Sequence, residues 1–126
     1  MNDVIGGSVL PDGQSVVMVR VRGPNGQVAN VQAVIDTGFN DFLILPPSAI
    51  QRLQLVPADD VRYTLADGTR STARQYKAEV EWFGSWRRTY VTEVDTNALI
   101  GTELLRGCLL KIEMLDGGRV EIRPIL

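Results

Sequence analysis

The chain has 126 residues, 44% of them apolar, and its 13 basic and 15 acidic side chains leave a formal charge of -2. That is one domain's length, too apolar for disorder and without the basic block that a nucleic-acid surface needs. It holds no histidine and a single cysteine, Cys108, which excludes Ser-His and Cys-His nucleophilic pairs, the common zinc ligand sets and an internal disulfide.

The opening Met1-Asn2-Asp3-Val4-Ile5-Gly6-Gly7 lacks the basic and apolar regions of a secretory leader. No apolar run approaches the roughly 20 residues of a membrane span, so a cytoplasmic protein with no membrane partner is expected. The first strand is read at Val17, Val19 and Val21, alternating with Met18, Arg20 and Arg22. Gly23-Pro24-Asn25-Gly26 is a turn. A second strand carries Val31, Ala33 and Ile35 on one face and ends at Asp36-Thr37-Gly38. The short apolar run Phe42-Leu43-Ile44-Leu45 follows, and Pro46-Pro47-Ser48 opens a short helix from Ala49 to Leu53.

Val61, Tyr63 and Leu65 alternate up to Asp67-Gly68, a hairpin signal. The return strand points Ala78, Val80 and Trp82 one way, with Glu79 and Glu81 on the other side. Phe83-Gly84-Ser85 turns it into a strand from Trp86 to Val94. Ala98-Leu99-Ile100-Gly101 precedes a helical turn from Thr102 to Leu105. Leu110, Ile112 and Met114 then alternate with Lys111 and Glu113, and Asp116-Gly117-Gly118 closes a last hairpin into Val120-Glu121-Ile122. No linker interrupts the series, so residues 1–126 are read as one all-β domain with one or two short helices.

Without histidine, carboxylates are the main candidates for proton chemistry. Asp36-Thr37-Gly38 would hold a carboxylate at the end of an apolar strand, with Gly38 letting a backbone N–H approach it. Three such residues alone are also an ordinary strand-ending turn. Ala33-Val34-Ile35-Asp36-Thr37 shares its pattern with Ala98-Leu99-Ile100-Gly101-Thr102, a faint repeat that five residues cannot separate from coincidence. Elsewhere the bland readings prevail. Asp59-Asp60 is a solvated acidic pair, Glu79, Glu81 and Glu93 are wet strand faces, and Trp82 and Trp86 serve core or dimer packing. Cys108 is a small buried apolar residue, and Arg87-Arg88 is too short for a nucleic-acid surface. No metal and no cofactor is expected.

The run Ala33-Val34-Ile35-Asp36-Thr37-Gly38 resembles the active-site strand of retropepsin-like (clan AA) aspartic peptidases, bacterial members included. Asp67-Gly68 lies where that family has its flap. Ala98-Leu99-Ile100-Gly101-Thr102-Glu103-Leu104-Leu105 is similar to its second signature, followed by Gly107-Cys108-Leu109-Leu110-Lys111-Ile112 as its next strand. The likeness runs from about Ser15 to Met114, and the family's two related half-subunits account for the repeat. It implies a retropepsin-like closed β-barrel subunit that works as a two-fold homodimer. Asp36, Thr37 and Gly38 would be catalytic, with Thr37 bracing the opposite subunit's loop. Phe39, Asn40, Ala66, Asp67, Gly68, Thr69, Ile100 and Gly101 would line the substrate.

Gly101 stands where a second half would carry an aspartate, so the dyad would need Asp36 of another copy. The implied activity is hydrolysis of extended polypeptides by a dyad-held water. The alternative is the same dimer binding a peptide or protein partner with little or no cleavage. The resemblance also implies a mobile flap from about Val61 to Phe83 and a subunit interface at Pro124-Ile125-Leu126. Three departures from the family stand out. Phe39 replaces its Ala, Ser or Thr, Asn40 and Thr102 replace a frequent Asp and Arg, and the tip Ala66-Asp67-Gly68-Thr69 is charged with one glycine.

Overall fold

The computed structural model describes residues 4–64 and 67–125, with side chains left out at 59–61 and 63. The strands are β1 (Ile5–Val9), β2 (Ser15–Arg22), β3 (Val28–Ile35), β4 (Leu43–Leu45), β5 (Val56–Thr64), β6 (Arg70–Trp82), β7 (Ser85–Glu93), β8 (Leu99–Ile100), β9 (Cys108–Ile112) and β10 (Arg119–Pro124). Two short helices, α1 (Pro47–Leu53) and α2 (Thr102–Leu105), complete the chain. Helix α1 starts two residues before the expected Ala49, because Pro47 suits a first turn whose N–H groups have no helical partner. It buries Ala49, Ile50 and Leu53.

The strands form one 10-stranded sheet in the order β5-β6-β7-β4-β8-β3-β2-β1-β10-β9. A further pairing of β2 with β6, Val21↔Val80 and Arg22↔Glu79, brings distant parts of that order together. The run β6-β7-β4-β8-β3-β2 therefore closes on itself. Strand β5 and the β1-β10-β9 run stay outside it, and β5 and β9 are edges. Fully buried Leu43, Leu45, Leu53, Ile100, Leu104, Val91 and Ile122 line the interior, each side chain contributing about 1.5–3 kcal/mol.

On the outer face, Arg22 donates to Glu79 from Nε (3.0 Å) and Nη2 (2.8 Å), and Arg20 donates to Glu81 (2.7 Å). The Trp86 ring carries Arg22 at 4.3 Å and Arg20 at 5.5 Å. Glu79 and Glu81 are thus partly covered rather than simply wet, and Trp86 is a platform for cations while Trp82 is core. Cys108 is only half-buried, and burial of its thiol raises its pKa. Glu93 accepts the Tyr76 hydroxyl (2.7 Å).

Several expectations change. Strand β1 was not read from the sequence, since Gly6-Gly7 argues against a strand. Its glycine is needed because a Cβ at Gly7 would collide with the Val16 carbonyl. Strand β9 stops at Ile112, and Met114 is 67% exposed in the turn that follows. The expected flap from Val61 to Phe83 is too long. Its second half, Gln75–Trp82, pairs with β7 and buries Tyr76, Ala78, Val80 and Trp82. Only the hairpin beyond it, from Val61↔Ala73 to Thr64↔Arg70, leaves the body of the sheet.

From Val120 to Ile122, β10 pairs with β1 on one side and β9 on the other. Ile125 N donates to Gly107 O (2.8 Å), and N–H directions alternate along a strand. The missing donor of Pro124 therefore faces the side where pairing with β1 has already ended at Ile5↔Ile122. Because β10 joins β1 to β9, Ile122→Ala should lower unfolding stability by about 2–5 kcal/mol, measured by urea titration. A loss under about 0.5 kcal/mol, the range of ordinary surface changes, would contradict this role of β10.

Candidate active site

Asp36 leaves the end of β3 beside β8. The two strands run parallel with Val34↔Leu99 and Ile35↔Ile100 in register. The faint sequence repeat is therefore two segments lying side by side, and Asp36 follows one as Gly101 follows the other. Val34 N donates to Ala98 O (2.9 Å) and Asp36 N to Ile100 O (2.9 Å). Ile100, fully buried, also pairs with Leu43 of β4 on its other side.

The loop after Asp36 is tight. Phe39 N donates to Asp36 O (3.1 Å), closing a turn, and Gly38 N donates to the Asp36 carboxylate Oδ1 (2.9 Å). A Cβ on Gly38 would lie 3.2 Å from that same oxygen, so the glycine serves close approach to the carboxylate. Asp36 is half-buried and Thr37 and Gly38 are exposed, so the group is held from behind and open in front.

The Asp36 loop and the β8–α2 junction are joined through backbone. Gly101 N donates to Phe42 O (3.0 Å), Thr102 N to Phe39 O (2.8 Å) and Glu103 N to Asp41 O (3.1 Å). These bonds do the joining where the family often has an Asp–Arg pair and this chain has Asn40 and Thr102. A Cβ at Gly101 would collide with the Asp41 carbonyl and lie 2.5 Å from Phe39 Cδ2 and 2.7 Å from Phe39 O. Phe39, half-buried, thus has its ring edge against Gly101. Asp36, Thr37, Gly38, Phe39, Asn40, Ile100 and Gly101 are brought together as one cluster.

The tip residues are elsewhere. Asp67, Gly68 and Thr69 end the β5–β6 hairpin, with Thr69 N donating to Asp67 Oδ1 (2.9 Å). The Thr69 hydroxyl first, then its N–H, holds the Asp67 carboxyl below its ordinary value. No hydrogen bond joins these three residues to the Asp36 loop among the described residues, and Ala66 lies outside them. So do the side chains of Asp59 and Asp60. Among the described residues no three His, Cys, Asp or Glu side chains gather as a metal site, and no helix is long and apolar enough to cross a membrane.

The sequence reading missed Asp41. Its Oδ1 accepts its neighbour's Phe42 N–H (2.8 Å), and its Oδ2 faces Gln75 Nε2 of β6 at 3.5 Å. It is the side chain that reaches from the active-site loop to the base of the hairpin. Only its place five residues after Asp36 could have flagged it. Gly101→Ala should lower stability by about 1–3 kcal/mol through overpacking, and should disturb Asp36 through Phe39, checked by urea titration and by the backbone amide shifts of 36–42. Unchanged stability and shifts would contradict the close packing at Gly101.

Comparison with known proteins agrees with this geometry. The family model described as "Aspartyl protease" matches residues 17–109. A retropepsin-like aspartic protease from Rickettsia conorii superposes with a TM-score of 0.59 at 18% identity, over 94% of this chain and 89% of that one. EIAV protease, solved with the inhibitor HBY-793, superposes with a TM-score of 0.58 at 14% identity, over 76% of this chain and 88% of that one. No curated protein matches the sequence. With most of its length inside the family model and a retropepsin-like fold, the chain belongs to the aspartyl protease family.

Proposed function

We propose that the protein is an endopeptidase whose catalytic pair is Asp36 from each of two copies. The observation that carries this reading is the parallel register of β3 and β8. It sets Gly101, which has no carboxylate, opposite Asp36, so the internal repeat cannot complete a dyad and a second chain must. In the pair, one carboxylate takes a proton from a water that attacks the peptide carbonyl. The other protonates the carbonyl oxygen and then assists departure of the nitrogen. The Gly38 N–H holds one Asp36 oxygen in place, which leaves the other for water or its partner. An extended peptide would lie across the pair, with Asp67–Thr69 of each hairpin above it.

The second copy needs an open strand. Strand β10 is taken on both sides by its own chain. Strand β5 is an edge broken by a register shift between Pro57 and Asp60, a feature that discourages further pairing. Strand β9 is the regular edge. Leu109 on it is 53% exposed, and Ile125 beside Gly107 is 69% exposed. The proposed contact is β9 against β9 across the two-fold axis, with Ile125 flanking it.

Three outcomes test this reading. Asp36→Asn should abolish cleavage while sparing fold and dimer, since an amide matches the shape but cannot act as base. Wild-type cleavage should rise and fall with pH, because only the singly protonated pair holds an acid and a base together. Peptide profiling by mass spectrometry across the acid and neutral range is the measurement. Cleavage by the variant equal to wild type would remove Asp36 from the mechanism. Leu109→Arg places two like charges at the proposed axis and should shift sedimentation to the monomer and abolish activity. A monomer with full activity would sink the paired-site reading.

A further inference from the structure

A concave surface lies beyond the far end of the Asp36 loop, where Phe42 lines it. It is a groove of about 710 Å³ at the base of the β5–β6 hairpin, and none of its lining residues belongs to 36–40, 67–69 or 100–101. Its floor is two rows of cross-strand neighbours. One row is Val56, Lys77 and Tyr90, from the registers Val56↔Lys77 and Lys77↔Tyr90. The next, two residues along the same face, is Arg22, Glu79 and Arg88. Phe42 closes one wall and meets the Tyr90 ring edge-on at 6.0 Å.

Charge in the groove is unbalanced. Arg88 stands opposite Glu79 in the register, but Glu79 Oε1 already accepts two bonds from Arg22, which the Trp86 ring holds in place. Arg88 and Lys77 are both exposed, and neither has an ion-pair partner among the described residues. Two uncompensated cations thus sit beside exposed apolar surface, Tyr90 at 42% and Val56 at 54%, on a chain whose net charge is -2. Lys77 and Arg88 are diagonal neighbours, whose backbones lie on the order of 7–8 Å apart. Residues i and i+2 of an extended peptide share a face and lie about 6.6–7 Å apart.

We propose that this groove is a docking site for an extended acidic peptide segment, with carboxylates at i and i+2 on Lys77 and Arg88 and a neighbouring aromatic side chain against Phe42 and Tyr90. It would grip a polypeptide outside the stretch that crosses Asp36. The assignment stands on the groove's own residues and does not require cleavage.

The test uses the Asp36→Asn chain, so that no probe is consumed. The probe is a fluorescein-labelled peptide, Glu-Thr-Glu-Thr-Phe, and its control replaces both glutamates by glutamine. Fluorescence anisotropy should show binding of the acidic probe that weakens in high salt. Adding Lys77→Gln and Arg88→Gln should weaken it by about tenfold, the scale of two exposed ion pairs. Replacing Arg52 on α1 by glutamine, an exposed cation outside the groove, should leave binding unchanged. Equal binding of the glutamine control, or equal binding by the Lys77/Arg88 variant, would overturn the proposal. Displacement of the probe by a pepstatin-type inhibitor would overturn it too, by placing the probe at the catalytic pair. So would a change of sedimentation in the Lys77/Arg88 variant with probe binding intact, which would make the groove a contact between copies.

Discussion

Asp36 and Gly101 are held side by side by one parallel seam, the pairing of β3 with β8. A two-residue strand, Leu99–Ile100, lies between β3 and β4 and has no edge of its own. Its backbone fixes Asp36 from one side, while its following residue must be glycine to let the Asp36 loop close over it. The energy for this comes from burial more than from the hydrogen bonds, which mainly replace bonds to water at a net gain of about 1 kcal/mol each. Ile100, Leu43 and Leu104 are fully buried around the seam. A carboxylate placed this way is rigid because the strands behind it cannot move separately.

From that seam outward, order is supplied by different physics. The body of the sheet is hydrophobic and paired on both sides. The outer face of β2, β6 and β7 is held by Arg20, Arg22, Glu79, Glu81 and Trp86. Pairs exposed to this degree stabilise little, about 0–1 kcal/mol each. Their effect is to fix where charges stand, which leaves Lys77 and Arg88 without an ion pair among the described residues, beside an aromatic wall. The hairpin beyond Gln75 keeps only β5 as a partner. Asp41 and Gln75 are the side-chain link between its base and the active-site loop.

Strand β10 lies between β1 and β9 and gives each a partner. The strand before the terminal residues completes the chain's own sheet, and β9 is left as an edge. The apolar side chains left outside, Leu109 and Ile125, lie at that edge.

Much of this was legible in the sequence because it is local. Period-two alternation marked β2 and β6, the turn at Phe83-Gly84-Ser85 placed β7, and helix α2 lies where it was expected, from Thr102 to Leu105. The motif Asp36-Thr37-Gly38 and the signature Ile100-Gly101 named the residues that meet in the cluster. The sequence could not reveal β1, because Gly7 is a strand residue only for the sake of the Val16 carbonyl beside it. Nor could it reveal Asp41, whose partner Gln75 lies 34 positions away. Local pattern carried the all-β class, most strand faces and Asp36 as a candidate; folding settled which edges stay open, how far the hairpin leaves the sheet and which cations lack an ion pair among the described residues. The physical reason is that strand identity follows from each segment's own alternation, whereas edges and ion pairs are set by neighbours that the chain brings together only on folding.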